Sequence, residues 1–106
     1  MKKKPGTVLH EMQKKAATGG ECTKCHTQCE TLSVDHIIPV SLLDAIGLRY
    51  EGVYNDAENY DLLCRRCNTI KGPRLDFDHP RTFALLEKYV ALSRSLYGLQ
   101  TKPTNQ

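Results

Sequence analysis

The sequence predicts a small α+β domain held together by a bound metal ion, with a helix near each end. Three observations lead there. Two Cys-x-x-Cys pairs, Cys22–Cys25 and Cys64–Cys67, stand far apart in the chain. Two short segments with strand character lie between the pairs. A long segment near the C-terminus repeats its apolar residues at helical spacing.

Taken in order, residues 1–6 read as a flexible basic tail, with Lys2–Lys4 followed by Pro5 and Gly6. Residues 7–17 carry Val8, Leu9 and Met12 at helical spacing and run into Gly19-Gly20, a stop signal. Cys22-Thr23-Lys24-Cys25 follows as a tight turn. Thr31 to Val34 alternates polar and apolar residues, predicting a strand that runs into Asp35-His36-Ile37-Ile38 and ends at Pro39. Ser41 is the expected cap of a short helix through Ile46, closed by Gly47. Residues 49–58 read as a loop, Tyr60 to Leu63 as a second strand, and Arg65 to Lys71 as a short helix stopped by Gly72-Pro73. The clearest helix is expected from Pro80 to Tyr97, with Phe83, Leu85, Leu86, Tyr89, Val90, Leu92 and Leu96 as its apolar stripe. The expected organisation is one domain over 7–98, with a polar tail at 99–106.

Composition narrows the class. The chain of 106 residues is one domain's worth, with 40% hydrophobic residues and no Trp, so a covalent or metal staple would supplement a modest core. No apolar run follows the N-terminal lysines and no stretch of about 20 apolar residues exists. No secretory signal or membrane span is therefore expected, and a reducing, intracellular setting is. There, paired cysteines are more often metal ligands than disulfides. The net charge of +3 is unevenly spread. Residues 36–60 are acidic, whereas Lys14, Lys15, Arg65, Arg66, Lys71, Arg74 and Arg81 are basic.

Two residues between thiolates let one turn aim both sulfurs at one ion, and two such turns complete a closed, structural four-thiolate zinc site. Such a site contributes on the order of 10 kcal/mol to folding. Three other readings stand beside it. The cysteines would form two disulfides, or Cys22-Thr23-Lys24-Cys25-His26 would attach haem, or His26 or Cys29 would replace one of the four sulfur ligands. The odd Cys29 also reads simply as a small buried hydrophobe.

Chemistry-bearing residues cluster around the knuckles: Val34-Asp35-His36-Ile37-Ile38-Pro39, then Asn59-Tyr60-Asp61-Leu62-Leu63-Cys64, then Cys64-Arg65-Arg66-Cys67-Asn68-Thr69-Ile70-Lys71-Gly72. Singly, each has a plain structural explanation. Together, over roughly Cys22 to Gly72, they resemble the His-Asn-His (HNH) endonuclease family in its four-cysteine branch. The resemblance implies a ββα-metal fold gripping one catalytic divalent ion, with DNA, expected double-stranded, as substrate. It implies His36 as general base, Asp35 as metal ligand and Asn59 as the residue that orients the loop and the histidine, with Asn55 as fallback. Asn68 stands where the family's last His is expected, a His-Asn-Asn variant. Asp35 and Asn68 would then offer two oxygens, which favour Mg²⁺ or Mn²⁺ over Zn²⁺ or Ni²⁺. Arg65, Arg66, Lys71 and Arg74 are expected on flanking phosphates. So small a domain has little room for sequence readout, leaving specificity to a homodimer, a partner protein or nothing. The competing reading is a zinc-binding nucleic-acid interaction module without catalysis. His79, just before Pro80, is expected to cap a helix or lie on the surface.

Overall fold

A computed structural model describes residues 7–48 and 56–97. The two tails, Asn55, and Arg49 and Glu51 of the acidic stretch lie outside them. Helix α1 spans Thr7–Ala17. A short hairpin of β1 (Gly20–Glu21) and β2 (Gln28–Cys29) carries the first cysteine pair in its loop. A second antiparallel hairpin joins β3 (Ser33–His36) to β4 (Tyr60–Leu63). Helix α2 (Val40–Ala45) lies in the connection between them, α3 (Arg65–Lys71) follows β4, and α4 (Thr82–Tyr97) closes the fold. The strand–strand–helix unit β3–β4–α3 is the expected ββα-metal motif, with α1 and α4 as the flanking helices. Among the described residues no helix is long and apolar enough to cross a membrane.

The β1–β2 hairpin was not expected, because two residues per strand are too few to carry a period. Gly19 makes its entry possible. Its φ is +79°, and a Cβ there would lie 2.3 Å from the Glu30 carbonyl oxygen and 2.4 Å from that of Cys29. Only glycine combines that backbone with that approach.

The start of α2 differs from expectation. Its N-cap is Pro39, at φ −61°, with no side-chain cap bond. The Pro39 carbonyl accepts from both Leu42 and Leu43 N–H groups, so the helix begins one residue before Ser41, whose hydroxyl is left on the exposed first turn. Pro39 suits this position, since its missing N–H is not needed there.

The core is formed by Ile37, Ile38, Leu43, Leu48, Leu85 and Tyr89, with Leu42, Ile46, Leu75, Leu86 and Leu92 packed against it. Each fully buried aliphatic side chain contributes roughly 1.5–3 kcal/mol. The α4 stripe is narrower than its periodicity suggested. Leu85 and Tyr89 are buried, but Phe83, Val90 and Leu96 are exposed. Among the described residues nothing covers that outer flank of the 16-residue helix, and Phe83 leans on exposed Phe77, ring centroids 5.4 Å apart.

Helix α4 also braces the chain leading into β4. Asp56 caps a 3-10 turn at Ala57–Asn59 by accepting from Glu58 N–H. Lys88 Nζ donates to Asp56 Oδ2 at 2.6 Å, and Tyr89 Oη donates to the same oxygen at 2.7 Å. Burial works against the Asp56 charge, yet these two donors hold its carboxyl below the ordinary aspartate value. The Arg81 guanidinium donates to the Glu58 and Tyr60 carbonyls.

Two truncations on α4 test this packing. Leu85→Ala is expected to lower unfolding free energy by about 2–5 kcal/mol, and Phe83→Ala by about 1 kcal/mol or less. Urea denaturation of both variants reads the difference, and equal losses would contradict the narrow stripe.

Candidate active site and metal centre

The two cysteine pairs are built by different local devices. In the first, Cys22 N–H donates to Thr27 O at 2.9 Å and His26 N–H returns to Cys22 O at 2.8 Å, closing the knuckle. His26 turns the corner at φ 64°, a left-handed conformation that histidine tolerates better than a branched residue does. In the second, Cys64 is the N-cap of α3, its sulfur accepting from Cys67 N–H at 3.3 Å. One helical turn thus sets both thiols on one side. The four sulfurs of Cys22, Cys25, Cys64 and Cys67 all lie within 4.8 Å of one another. Cys25 and Cys64 Sγ are 3.8 Å apart, which matches the edge of about 3.8 Å that a tetrahedron with metal–sulfur bonds of roughly 2.3 Å requires. The set fits one zinc ion, with Cys22 fully buried. The swapped-ligand reading is set aside. Cys29 Sγ points to Thr27 O at 3.6 Å, and the His26 ring pairs with Glu21 at 2.8 Å.

The β3–β4 register places Asp35 opposite Asp61 and His36 opposite Tyr60. Successive strand side chains point to opposite faces, so Asp35 and His36 separate although adjacent. Asp35 turns toward α3 and is 7% exposed. Its Oδ1 accepts from Lys71 Nζ at 3.2 Å; its Oδ2 accepts no hydrogen bond among the described residues. Burial pushes its carboxyl above the ordinary aspartate value, with the Lys71 charge opposing. A buried carboxylate with one oxygen unused suits a hard cation. His36 is half-buried, its ring 4.7 Å from that of Tyr60. Burial and then the Lys71 charge hold its pKa below the ordinary imidazole value, so the ring is neutral near pH 7.

Asn59 is 1% exposed and pairs with one backbone unit at both ends of its amide. Ile38 N–H donates to its Oδ1 at 2.7 Å, and its Nδ2 donates to Ile38 O at 3.1 Å. Its own carbonyl accepts from Ile37 N–H at 2.8 Å. These three bonds fix the residues immediately after His36 and engage both polar atoms of the Asn59 amide. Asn59 is thus a positioning residue for the His36 end of β3.

On α3, Asn68, Lys71 and Gly72 share a face by their i, i+3, i+4 spacing. Lys71 and Gly72 border a cleft of about 250 Å³ that also holds Asp35 and His36. Asn68 sits one turn earlier, half-exposed, and makes no side-chain hydrogen bond among the described residues. It is not bonded to Asp35; the α3 residue that meets Asp35 is Lys71.

The four basic residues expected on phosphates divide into two kinds. Arg65 and Arg66 are exposed on the first turn of α3. Lys71 is drawn inward, its side chain 10% exposed, donating to His36 O at 3.0 Å as well as to Asp35. Arg74 donates to the Lys71 carbonyl from Nε and to that of Ile70, closing the C-terminal turn of α3. These carbonyls lack helical partners, which draws the nearest cation to them.

Pattern reading missed a network centred on Asp61. Thr23 Oγ1 donates to its Oδ1 at 2.8 Å, tying the first knuckle to β4. His79 Nε2 lies 2.8 Å from its Oδ2. Because His79 Nδ1 accepts from Arg81 N–H at 3.0 Å, Nε2 carries the proton and donates. His79 therefore caps the approach to α4, as expected, while also joining it to β4. No sequence signal links Asp61 to His79, 18 residues away.

A family model described as HNH endonuclease matches residues 22–74, half of the chain, and that span contains both cysteine pairs, the β3–β4 hairpin and α3. The chain belongs to the HNH endonuclease family. No curated protein and no solved structure matches it significantly. Membership makes a nucleic acid the substrate class, and the cysteine cluster agrees with the zinc-binding branch of the HNH family.

The bracing role of Asn59 is directly measurable. Asn59→Ala leaves the buried Ile38 N–H and C=O without partners and is expected to cost about 2–4 kcal/mol in urea unfolding. A loss below about 1 kcal/mol, the level of an ordinary surface substitution, would show that the bonds do not carry the turn.

Proposed function

We propose that this protein is a metal-dependent endonuclease that hydrolyses DNA phosphodiester bonds, with His36 as general base. The observation that carries the reading is the adjacency of Asp35 and His36 at the end of β3, on opposite faces, with burial keeping the imidazole neutral. A neutral ring can take a proton from water attacking phosphorus at working pH. Asp35 and Asn68 would hold one divalent cation through oxygen, for which Mg²⁺ or Mn²⁺ is the better match. When bound, that ion supplies Lewis-acid relief of charge on the phosphate and the leaving oxygen. Asn59 fixes the backbone beyond His36, so that the ring keeps one aim. Exposed Arg65 and Arg66 would hold flanking phosphates of a double-stranded substrate, making binding salt-dependent and largely blind to sequence. Specificity would then come from a second copy or a partner protein. A reducing, intracellular setting suits the four reduced cysteines.

The test is cleavage of supercoiled plasmid with Mg²⁺, Mn²⁺, Ni²⁺ or EDTA, wild type beside His36→Ala. Metal-dependent nicking or linearisation is expected, reduced about 100- to 10,000-fold in the variant. Equal cleavage by both would remove His36 from the chemistry. Absence of cleavage with every metal, by a folded and zinc-loaded protein, would instead point to a nucleic-acid-binding module or a partner-dependent enzyme.

A further inference from the structure

The Asp35 carboxylate already has a cation. Lys71 Nζ lies 3.2 Å from Asp35 Oδ1 and 3.0 Å from the His36 carbonyl, and both side chains are about nine-tenths buried. The neighbouring Asp61 offers no unused oxygen, because Thr23 donates to its Oδ1 and His79 to its Oδ2; its charge acts on Asp35 only from a distance. Asn68, the other proposed ligand, is neutral. The protein alone thus presents to a divalent ion one available carboxylate that is already paired with an ammonium. In a partly buried setting two such cations repel strongly at short range.

Lys71 has somewhere else to go. It borders the small cleft that it shares with His36, and with Asp35 it also borders a larger cavity of about 750 Å³. Its four-carbon stem can carry the ammonium from the Asp35 oxygen into the cleft. A phosphate entering that cleft brings a second anionic partner for the ammonium, and with it the negative charge that Lys71 offsets at Asp35. Hard divalent ions are commonly held by one or two carboxylates together with substrate phosphate rather than by an all-protein cage.

We propose that Lys71 is the resident counter-ion of Asp35 and makes divalent-cation binding there conditional on a nucleic-acid phosphate, to which the ammonium transfers. The proposal rests on the reading of Asp35 as a metal ligand. In the free protein the pair is closed, which disfavours metal. With DNA bound, Lys71 pairs with phosphate, Asp35 is released, and the cation enters a site of net negative charge. Metal and DNA therefore strengthen each other's binding.

The experiment titrates Mn²⁺ into the zinc-loaded protein and follows free Mn²⁺ by electron paramagnetic resonance, with and without a short DNA duplex. A duplex-only blank is subtracted, and all proteins carry His36→Ala so that the DNA stays intact. With Lys71 present, Mn²⁺ affinity is expected to rise about tenfold or more when duplex is added. In Lys71→Met and Lys71→Gln, the DNA-free affinity is expected to be about tenfold tighter already, and most of the gain from duplex to vanish. Lys71→Arg keeps the charge and the dependence on DNA. Zinc content and tyrosine circular dichroism identify folded variants, and the two neutral substitutions back each other up. Unchanged or weaker DNA-free affinity in the neutral variants overturns the role of Lys71 while leaving Asp35 as the ligand. If Asp35→Asn binds Mn²⁺ with duplex as well as its parent does, the metal reading of the site fails and the proposal fails with it.

Discussion

The four-thiolate clasp is the constraint on which the rest of the structure depends. It joins a knuckle near the start of the domain to the junction of β4 and α3, 39 residues later. Neither hairpin has the size to be stable alone: one has two residues per strand and the other four. Isolated two-stranded hairpins are marginal in water, and α3, at seven residues, is too short to hold itself as a helix. A metal bound at both its knuckle and its first turn supplies what local propensity does not. The clasp also sets the orientation of α3, because Cys64 and Cys67 occupy its N-cap and first turn. Once these point to the metal, the helical period carries Lys71 over Asp35 and leaves Arg65 and Arg66 outside.

A second, smaller constraint acts within the hairpin. Period-two alternation separates Asp35 from His36, and three bonds from Asn59 hold the chain where β3 ends. Helix α4, through Lys88 and Tyr89, and Arg81 just before it reach this point from the other side by their hold on residues 56–60. The element farthest along the chain thereby supports the residues that border the cleft. Burial favours the neutral form of both side chains, and so moves their pKa values in opposite directions, the Asp35 carboxyl up and the His36 ring down. Both states depend on Lys71, which adds positive charge to a pocket that would otherwise be a simple acidic site.

Much of this was legible in the sequence because the determining patterns are local. Cys-x-x-Cys spacing, the Asp35-His36 pair before Pro39, Asn59 before a strand and the helix-stopping Gly72 each act over a few residues. The β3–β4–α3 unit followed from them. What escaped depends on partners distant in the chain. Lys71 has the sequence of a phosphate contact, and only the packing of α3 on β3 turns it inward. Asp61 reads as an ordinary strand residue until the loop before α4 brings His79 to it. The apolar spacing of α4 is real, yet among the described residues Phe83, Val90 and Leu96 on its outer flank stay exposed, so periodicity overstated the buried stripe. Ser41 looks like a cap, but the Pro39 carbonyl had already begun the helix.

The metal clasp, through α3, assembles the site. Amide nuclear magnetic resonance of the ¹⁵N-labelled protein, before and after chelation of zinc and again after its return, tests it most directly. The signals of Asp35, His36, Asn68 and Lys71 are expected to lose their dispersion when zinc is removed and to recover it when zinc is restored. If those four residues keep their native shifts in the zinc-free chain, the hairpin and α3 assemble without the clasp, and the account is contradicted.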